Sequence, residues 1–91
     1  MTIAVCDLGD WGAAALLAEY DAGEDAIRVS VRAVERVRAV LGDRAAERFI
    51  ACAVAHERFH REYPGAGERE AHAFAQASCG VDPVVFEAVL R

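Results

Sequence analysis

The hydrophobic positions in the middle of this chain repeat with a helical period. No proline or glycine occurs from Asp43 to Tyr63. The apolar residues of this stretch recur three or four positions apart: Ala46, Phe49, Ile50, Ala53 and Val54. This spacing is typical of an amphipathic helix that packs one face inward. The sequence therefore predicts one long helix over 43–63.

Three shorter segments also have a helical pattern. The segment 32–41 carries valine and leucine at helical spacing, and Gly42 ends it. The run 63–67 contains a proline and two glycines, which predicts a turn before another helix over 68–78. Near the carboxyl end, Asp82 and Pro83 suit the cap and first turn of a short last helix.

The first third of the chain has strand signals instead. Residues 26–31 alternate apolar with polar side chains, and 21–25 before them favour a turn. We therefore predict a hairpin of 15–20 and 26–31, with 3–6 as a third strand and 9–12 as its connection. An alternative assigns 11–20 to a helix, because three consecutive alanines favour one.

Together these elements predict an α+β fold in one domain over 1–91. A small hairpin or three-stranded sheet would pack on three to four helices, with helix 43–63 at the centre. A chain of 91 residues that is 55% hydrophobic suffices for one core but not for two. A net charge of −5 argues against nucleic-acid binding, and no stretch is long enough to span a membrane.

The amino terminus and the cysteines indicate a compartment. Residues 1–7 lack the charged and apolar regions of an export signal. Cys6, Cys52 and Cys79 are odd in number and widely spaced, so a disulfide framework is not expected. We therefore predict a cytoplasmic protein with reduced thiols.

The long helix contains His56-Glu57-Arg58-Phe59-His60, the His-Glu-x-x-His arrangement of catalytic zinc sites. Histidines four positions apart lie on one helical face, where both can bind one metal ion. Glu57 is adjacent, where the base that acts on a metal-activated water stands. The alternative is that the histidines belong to a packed or hydrogen-bonded core of an all-helical structural domain that binds no metal.

A catalytic zinc keeps three protein ligands and one open position, so a third ligand is required. The extended pattern HExxHxxGxxH would place it at Ala66, which cannot bind metal. The helix after the turn must pack on the motif helix, and it offers Glu70. The stripe of Glu70 continues with small or apolar residues: Ala73, Phe74 and Ala77. We therefore predict Glu70 as the third ligand.

Other side chains are candidates for supporting roles. His72 could orient a ligand or contact substrate, although a surface position is the ordinary interpretation. Tyr63 could place a phenol near a developing oxyanion. Cys52 and Cys79 are more typical of small buried side chains than of metal ligands.

The segments AHERFH and EREAHAFA resemble the zinc peptidases of the gluzincin type, most closely the ImmA/IrrE group, in which AHELxH is followed by a helix of the form ExEAxxFA. The resemblance covers residues 44–79. It implies a minimal zincin-like fold with a central HExxH helix, in which His56, His60 and Glu70 bind Zn2+. It also implies Glu57 as general base.

This resemblance implies a small zinc metallopeptidase, a hydrolase that acts on a peptide or protein substrate. It further implies an edge strand near the metal that pairs with extended substrate, for which the strand around Arg28 and Ser30 is the candidate. The alternative function is a zinc-binding, catalytically silent interaction or regulatory module of the same fold. A homodimer that completes the cleft is also left open.

Overall fold

The computed structural model describes residues 1–8, 18–80 and 84–90. Within them, three strands and four helices follow in this order: β1 (Thr2–Cys6), β2 (Ala18–Asp21), β3 (Ala26–Ser30), α1 (Val31–Leu41), α2 (Asp43–Glu62), α3 (Glu68–Cys79) and α4 (Val84–Leu90). The predicted α+β class is confirmed. In the ranges that the structure describes, no helix combines the length and apolar character needed to cross a membrane.

The sheet has the order β1-β3-β2. β2 and β3 form the predicted antiparallel hairpin, and β1 adds the third strand by pairing with β3 in parallel. The prediction that β3 is an edge strand is wrong, because β3 has a partner on both sides. Residues 18–20, the end of the segment 11–20 for which strand and helix are both predicted, are in a strand. The rest of that segment and the predicted connection 9–12 fall within 9–17, outside the described residues.

The core is formed by β3, α1, the amino-terminal half of α2 and α4. Ser30 is buried and caps α1, since its Oγ accepts a hydrogen bond from the Ala33 N–H at 3.3 Å. The rings of Phe49 and Phe86 meet edge to face with centroids 5.4 Å apart. The buried cluster comprises Val29, Ala33, Val34, Val37, Ala46, Phe49, Cys52, Phe86 and Leu90. The buried residues of α2 all precede its His-Glu-x-x-His segment, which therefore lies at the edge of the core.

Gly42 joins α1 to α2 in the way its position predicts. Its φ of 96° is a conformation that glycine adopts without the strain a side chain would bring. Its N–H donates to the Arg38 carbonyl at 2.9 Å, which closes the last turn of α1. The chain can therefore start α2 at the next residue.

Asp25 ties the hairpin to the carboxyl-terminal half of α2. It has a φ of 49° in the turn between β2 and β3, a conformation that aspartate tolerates better than most residues. Its carboxylate accepts hydrogen bonds from Arg61 Nε at 2.7 Å and from the Tyr20 hydroxyl at 2.8 Å. Because Arg61 directly follows His60, this contact fixes the sheet against the histidine motif.

We expect Asp25 to make stability depend on pH in the acid range. The hydrogen bonds from Arg61, and next the one from Tyr20, hold the pKa of Asp25 well below its ordinary value. Such a carboxyl stabilises the fold above its unfolded pKa of about 3.9, and this contribution is lost as the pH falls toward the folded value. Asp25→Asn should therefore be less stable than wild type at pH 7, with a smaller difference at pH 3.

Urea unfolding of both proteins at the two pH values measures this difference. Asp7→Asn is the matched control, because the ion pair of Asp7 with Arg32 is exposed, and an exposed ion pair contributes little. A difference between wild type and Asp25→Asn that stays constant from pH 7 to pH 3 would contradict the prediction.

Cys52 and Cys79 form a disulfide that joins α2 to α3, with their Cα atoms 5.5 Å apart. The prediction of reduced thiols is wrong for this pair. The two residues are 27 positions apart in sequence, but the antiparallel packing of α2 and α3 brings them together. Cys6 on β1 is free.

Candidate metal site

His56 and His60 lie side by side in the second half of α2. Their Nε2 atoms are 3.2 Å apart and their ring centroids 4.9 Å apart. This proximity follows from their spacing, because residues four apart on a helix are neighbours. Phe49, earlier on the same face, is buried, whereas both histidines are half-buried. The face thus runs from the core to the surface.

The third group at the histidines is Glu68, the first residue of α3. Its Oε2 lies 3.0 Å from Nε2 of His56, and its Oε1 lies 2.8 Å from Nε2 of His60. The Tyr63 N–H closes the last turn of α2, and the Ala66 N–H then bonds to the Tyr63 carbonyl at 2.9 Å. This short turn reverses the chain and brings the start of α3 to the motif.

Glu70 does not join this group. It is exposed. Residues two positions apart in a helix are separated by about 200° around its axis, so Glu68 and Glu70 cannot face α2 together. α3 packs through Ala71 and Ala75, which are buried. The stripe predicted to face α2 is exposed instead: Ala73, Phe74 and Ala77. The predicted orientation of α3 is wrong because small residues occur on both of its sides.

Sequence reasoning thus missed Glu68, although a signal for it exists. Glu68, Ala71, Ala75 and Cys79 form a continuous stripe at helical spacing. Cys79 marks that stripe as the one that faces α2, since it is bonded to Cys52. The disulfide orients α3 and identifies Glu68, but the sequence does not predict that bond.

The three groups offer the donor set of a catalytic zinc site, two imidazole nitrogens and a carboxylate. Donor atoms about 2.0–2.1 Å from a tetrahedral zinc are about 3.3 Å from one another. The two Nε2 atoms, 3.2 Å apart, are close to this separation, and Glu68 brings a different carboxylate oxygen to each ring, Oε2 to His56 at 3.0 Å and Oε1 to His60 at 2.8 Å. His56, His60 and Glu68 are also the group within the described residues whose donor atoms converge enough to hold an ion. The residues therefore fit a metal. In the metal-free alternative, the Glu68 carboxylate accepts an N–H hydrogen bond from each histidine ring.

The surroundings of His56 favour its neutral form, which is the form that binds metal. Burial lowers the pKa of His56, and the charges of His60 and His72 lower it further. Glu68 acts in the opposite direction, but the net change in the pKa is downward. With a lowered pKa, the His56 ring is neutral at neutral pH. One of its two nitrogens then carries no proton and can bind a metal ion.

Glu57 lies beside the histidines with a carboxyl that is less acidic than usual. Burial raises the pKa of Glu57, and the charges of Glu68 and Glu19 raise it too, against the opposing effect of His60. Glu19 belongs to β2, so Glu57 lies near enough to this strand for the two charges to interact. A carboxyl with a raised pKa is suited to take up a proton and return it.

The two predicted supporting residues have different surroundings. His72 is half-buried one turn after Glu68, near enough to contribute to the lowered pKa of His56, for which burial is the main cause. The exposed ring of Tyr63 contacts Phe59, with centroids 4.9 Å apart, and Phe59 contacts Phe74 at 5.1 Å. The structure therefore places His72 near the site and Tyr63 in an aromatic cluster.

This aromatic cluster lines a groove between α2 and α3. The groove has a volume of about 490 Å³, and its walls include Val54, Phe59, Tyr63 and Phe74. His56, His60 and Glu68 do not line it. The metal site and the groove are therefore separate features of the same helix pair.

The chain matches no family model, no curated protein and no solved structure. The resemblance to gluzincin peptidases consequently depends on the two short segments that carry it, and the site has to be judged by its geometry.

Proposed function

We propose that the protein is a small zinc peptidase of the gluzincin type, similar to the ImmA/IrrE group and with a minimal zincin-like fold. His56, His60 and Glu68 would hold the metal. The observation that carries the proposal is the convergence of two Nε2 atoms, 3.2 Å apart, with the Glu68 carboxylate, which has one oxygen within 3.0 Å of each. When bound, zinc supplies an activated water and polarises the substrate carbonyl.

Glu57 performs the proton transfers in this proposal. It removes a proton from the attacking water and later delivers it to the leaving amine. The raised pKa of its carboxyl, caused mainly by burial, supports the second step, because the protonated form is more stable than in an exposed glutamate. His72 is proposed to orient a ligand or to contact the substrate, since it lies one turn beyond Glu68.

The substrate proposed here is a peptide or protein segment in extended conformation. Within the described residues, β2 pairs with another strand on one side only. Its Glu19 contributes to the raised pKa of Glu57, so this strand lies alongside the proposed base. The outer edge of β2, instead of β3, is therefore the candidate for main-chain pairing with substrate.

A second candidate function is a zinc-binding module that interacts or regulates without catalysis. The observation that favours it is the openness of the site, since the Glu68 side chain is 79% exposed. A homodimer that covers this side would enclose the site. The location proposed with this function is the cytoplasm. A disulfide that persists in freshly isolated protein would favour an oxidising compartment instead.

The test of the proposed function is the zinc content of untagged protein purified without chelator, measured by elemental mass spectrometry. About one zinc per chain is expected, and His60→Ala should lose it, because a catalytic site has only three protein ligands. Hydrolysis of a peptide library by the zinc-loaded protein then distinguishes the peptidase from the silent module. No zinc in wild type, with an unchanged melting temperature on adding zinc, would contradict both functions and leave the hydrogen-bonded cluster.

A further inference from the structure

The disulfide and the metal site lie on the same pair of helices. Cys52 precedes His56 by one turn of α2, and Cys79 is the last residue of α3, whose first residue is Glu68. α3 is therefore held to α2 at both ends, by the disulfide at one and by the short turn 63–67 with the histidine–glutamate contacts at the other.

The side chains of α3 that are buried between these attachments are small. α3 packs principally on α2, and its buried residues are Ala71 and Ala75. Alanine side chains bury far less apolar area than leucine or phenylalanine and contribute correspondingly less. Phe74 contacts Phe59 but is itself 43% exposed. The disulfide is thus a covalent constraint on which side of α3 faces α2, the side that carries Glu68.

We propose that the Cys52–Cys79 disulfide positions Glu68 at the two histidines, so that the oxidised protein binds zinc more tightly than the reduced protein. This inference rests on the proposed function, because it takes His56, His60 and Glu68 as the metal ligands. The cysteines are positioning residues. Because the bond restricts the movement of α3, Glu68 loses less conformational entropy when metal binds.

The redox step is an exchange between this disulfide and a dithiol. A thiolate of the dithiol attacks the sulfur of Cys79, the more exposed of the two cysteines, and Cys52 leaves as a thiolate that takes up a proton. The second thiol of the reductant then closes its own disulfide and releases the Cys79 thiol. Two electrons and two protons pass to the protein, and a small disulfide oxidant reverses the transfer.

The experiment compares the zinc affinity of oxidised wild type with that of wild type reduced by a phosphine and desalted without oxygen. Competition with a chromophoric chelator gives the dissociation constants. We expect reduction to raise the dissociation constant by about tenfold or more, as when a contact that orients a ligand is lost. The double variant Cys52→Ala/Cys79→Ala should bind as weakly as reduced wild type under both conditions. Cys6→Ala is the matched control and should keep the full redox response.

Glu68→Gln tests whether the disulfide acts through this ligand. The variant should bind zinc weakly in both redox states, and reduction should weaken its binding less than that of wild type, because coupled residues are not additive. If the double cysteine variant does not fold, amide hydrogen exchange of wild type replaces it. Reduction should then speed exchange in α3 more than in α1, and equal effects on both helices would overturn the inference.

The outcomes separate this inference from the proposed function. Equal affinity in oxidised and reduced wild type would overturn the inference and leave the metal site intact. Tighter binding after reduction that disappears in the double cysteine variant would also overturn it, because a thiol would then be a ligand. No zinc binding in either state, by protein with intact circular dichroism, would overturn the proposed function itself.

Discussion

Glu57→Gln is expected to lower peptide hydrolysis by at least about 10²-fold, the lower bound for removing a general base, while the zinc content stays unchanged. Glutamine has nearly the same size and can still form hydrogen bonds, but it cannot accept a proton at neutral pH. Glu57 does not belong to the group of converging donor atoms, so the variant should keep its metal. The measurement is kcat/KM on a peptide from the library, with zinc determined in the same samples.

The matched control for this variant is Glu47→Gln. Glu47 is exposed on the same helix, about 13 Å along the axis from His56, and should have no effect on hydrolysis. Full activity of Glu57→Gln would contradict the proposed mechanism. Loss of zinc together with activity would mean that Glu57 supports the metal site and would leave its role as base without support.

The helices could be predicted because their signals are local. The motif helix is predicted over 43–63 and observed over Asp43–Glu62, and the helix after the turn is predicted over 68–78 and observed over Glu68–Cys79. Gly42 ends α1 as its position predicts. In each case a glycine or proline marks the boundary and the apolar period fixes the type of element.

The order of the strands could not be predicted in the same way. Alternation in β3 tells that Ile27 and Val29 share a face, but it does not tell how many strands pair with β3. The parallel pairing of β1 with β3 brings Ile3 opposite Ile27, although β2 lies between these two strands in the sequence. Such long-range pairing depends on the packing of the whole domain, which is why the sequence alone misplaced the edge of the sheet.

The orientation of α3 and the disulfide have one common cause. An odd number of widely spaced cysteines does not predict a bond, and a helix with small residues on two sides does not show which side packs. Both questions are answered by the same antiparallel contact, in which Cys79 meets Cys52 and Glu68 meets the histidines. Two wrong predictions therefore reflect one missing piece of tertiary information.

Glu68→Gln is expected to weaken zinc binding by more than the 10–100-fold or so that losing an outer-shell partner costs, because it replaces a ligand. Glu70→Gln is the matched control and should leave the affinity unchanged. Both positions lie in the first turn of α3 and carry the same charge, so effects on net charge and on the helix dipole cancel in the comparison.

Competition with a chromophoric chelator again gives the two dissociation constants. The opposite result, weak binding by Glu70→Gln and normal binding by Glu68→Gln, would support the ligand that the family resemblance implies. It would also contradict the packing of α3 through Ala71 and Ala75, because α3 would have to turn by about 200° to exchange the two carboxylates. That rotation would carry Cys79 away from Cys52, so the disulfide and Glu70 as a ligand exclude each other.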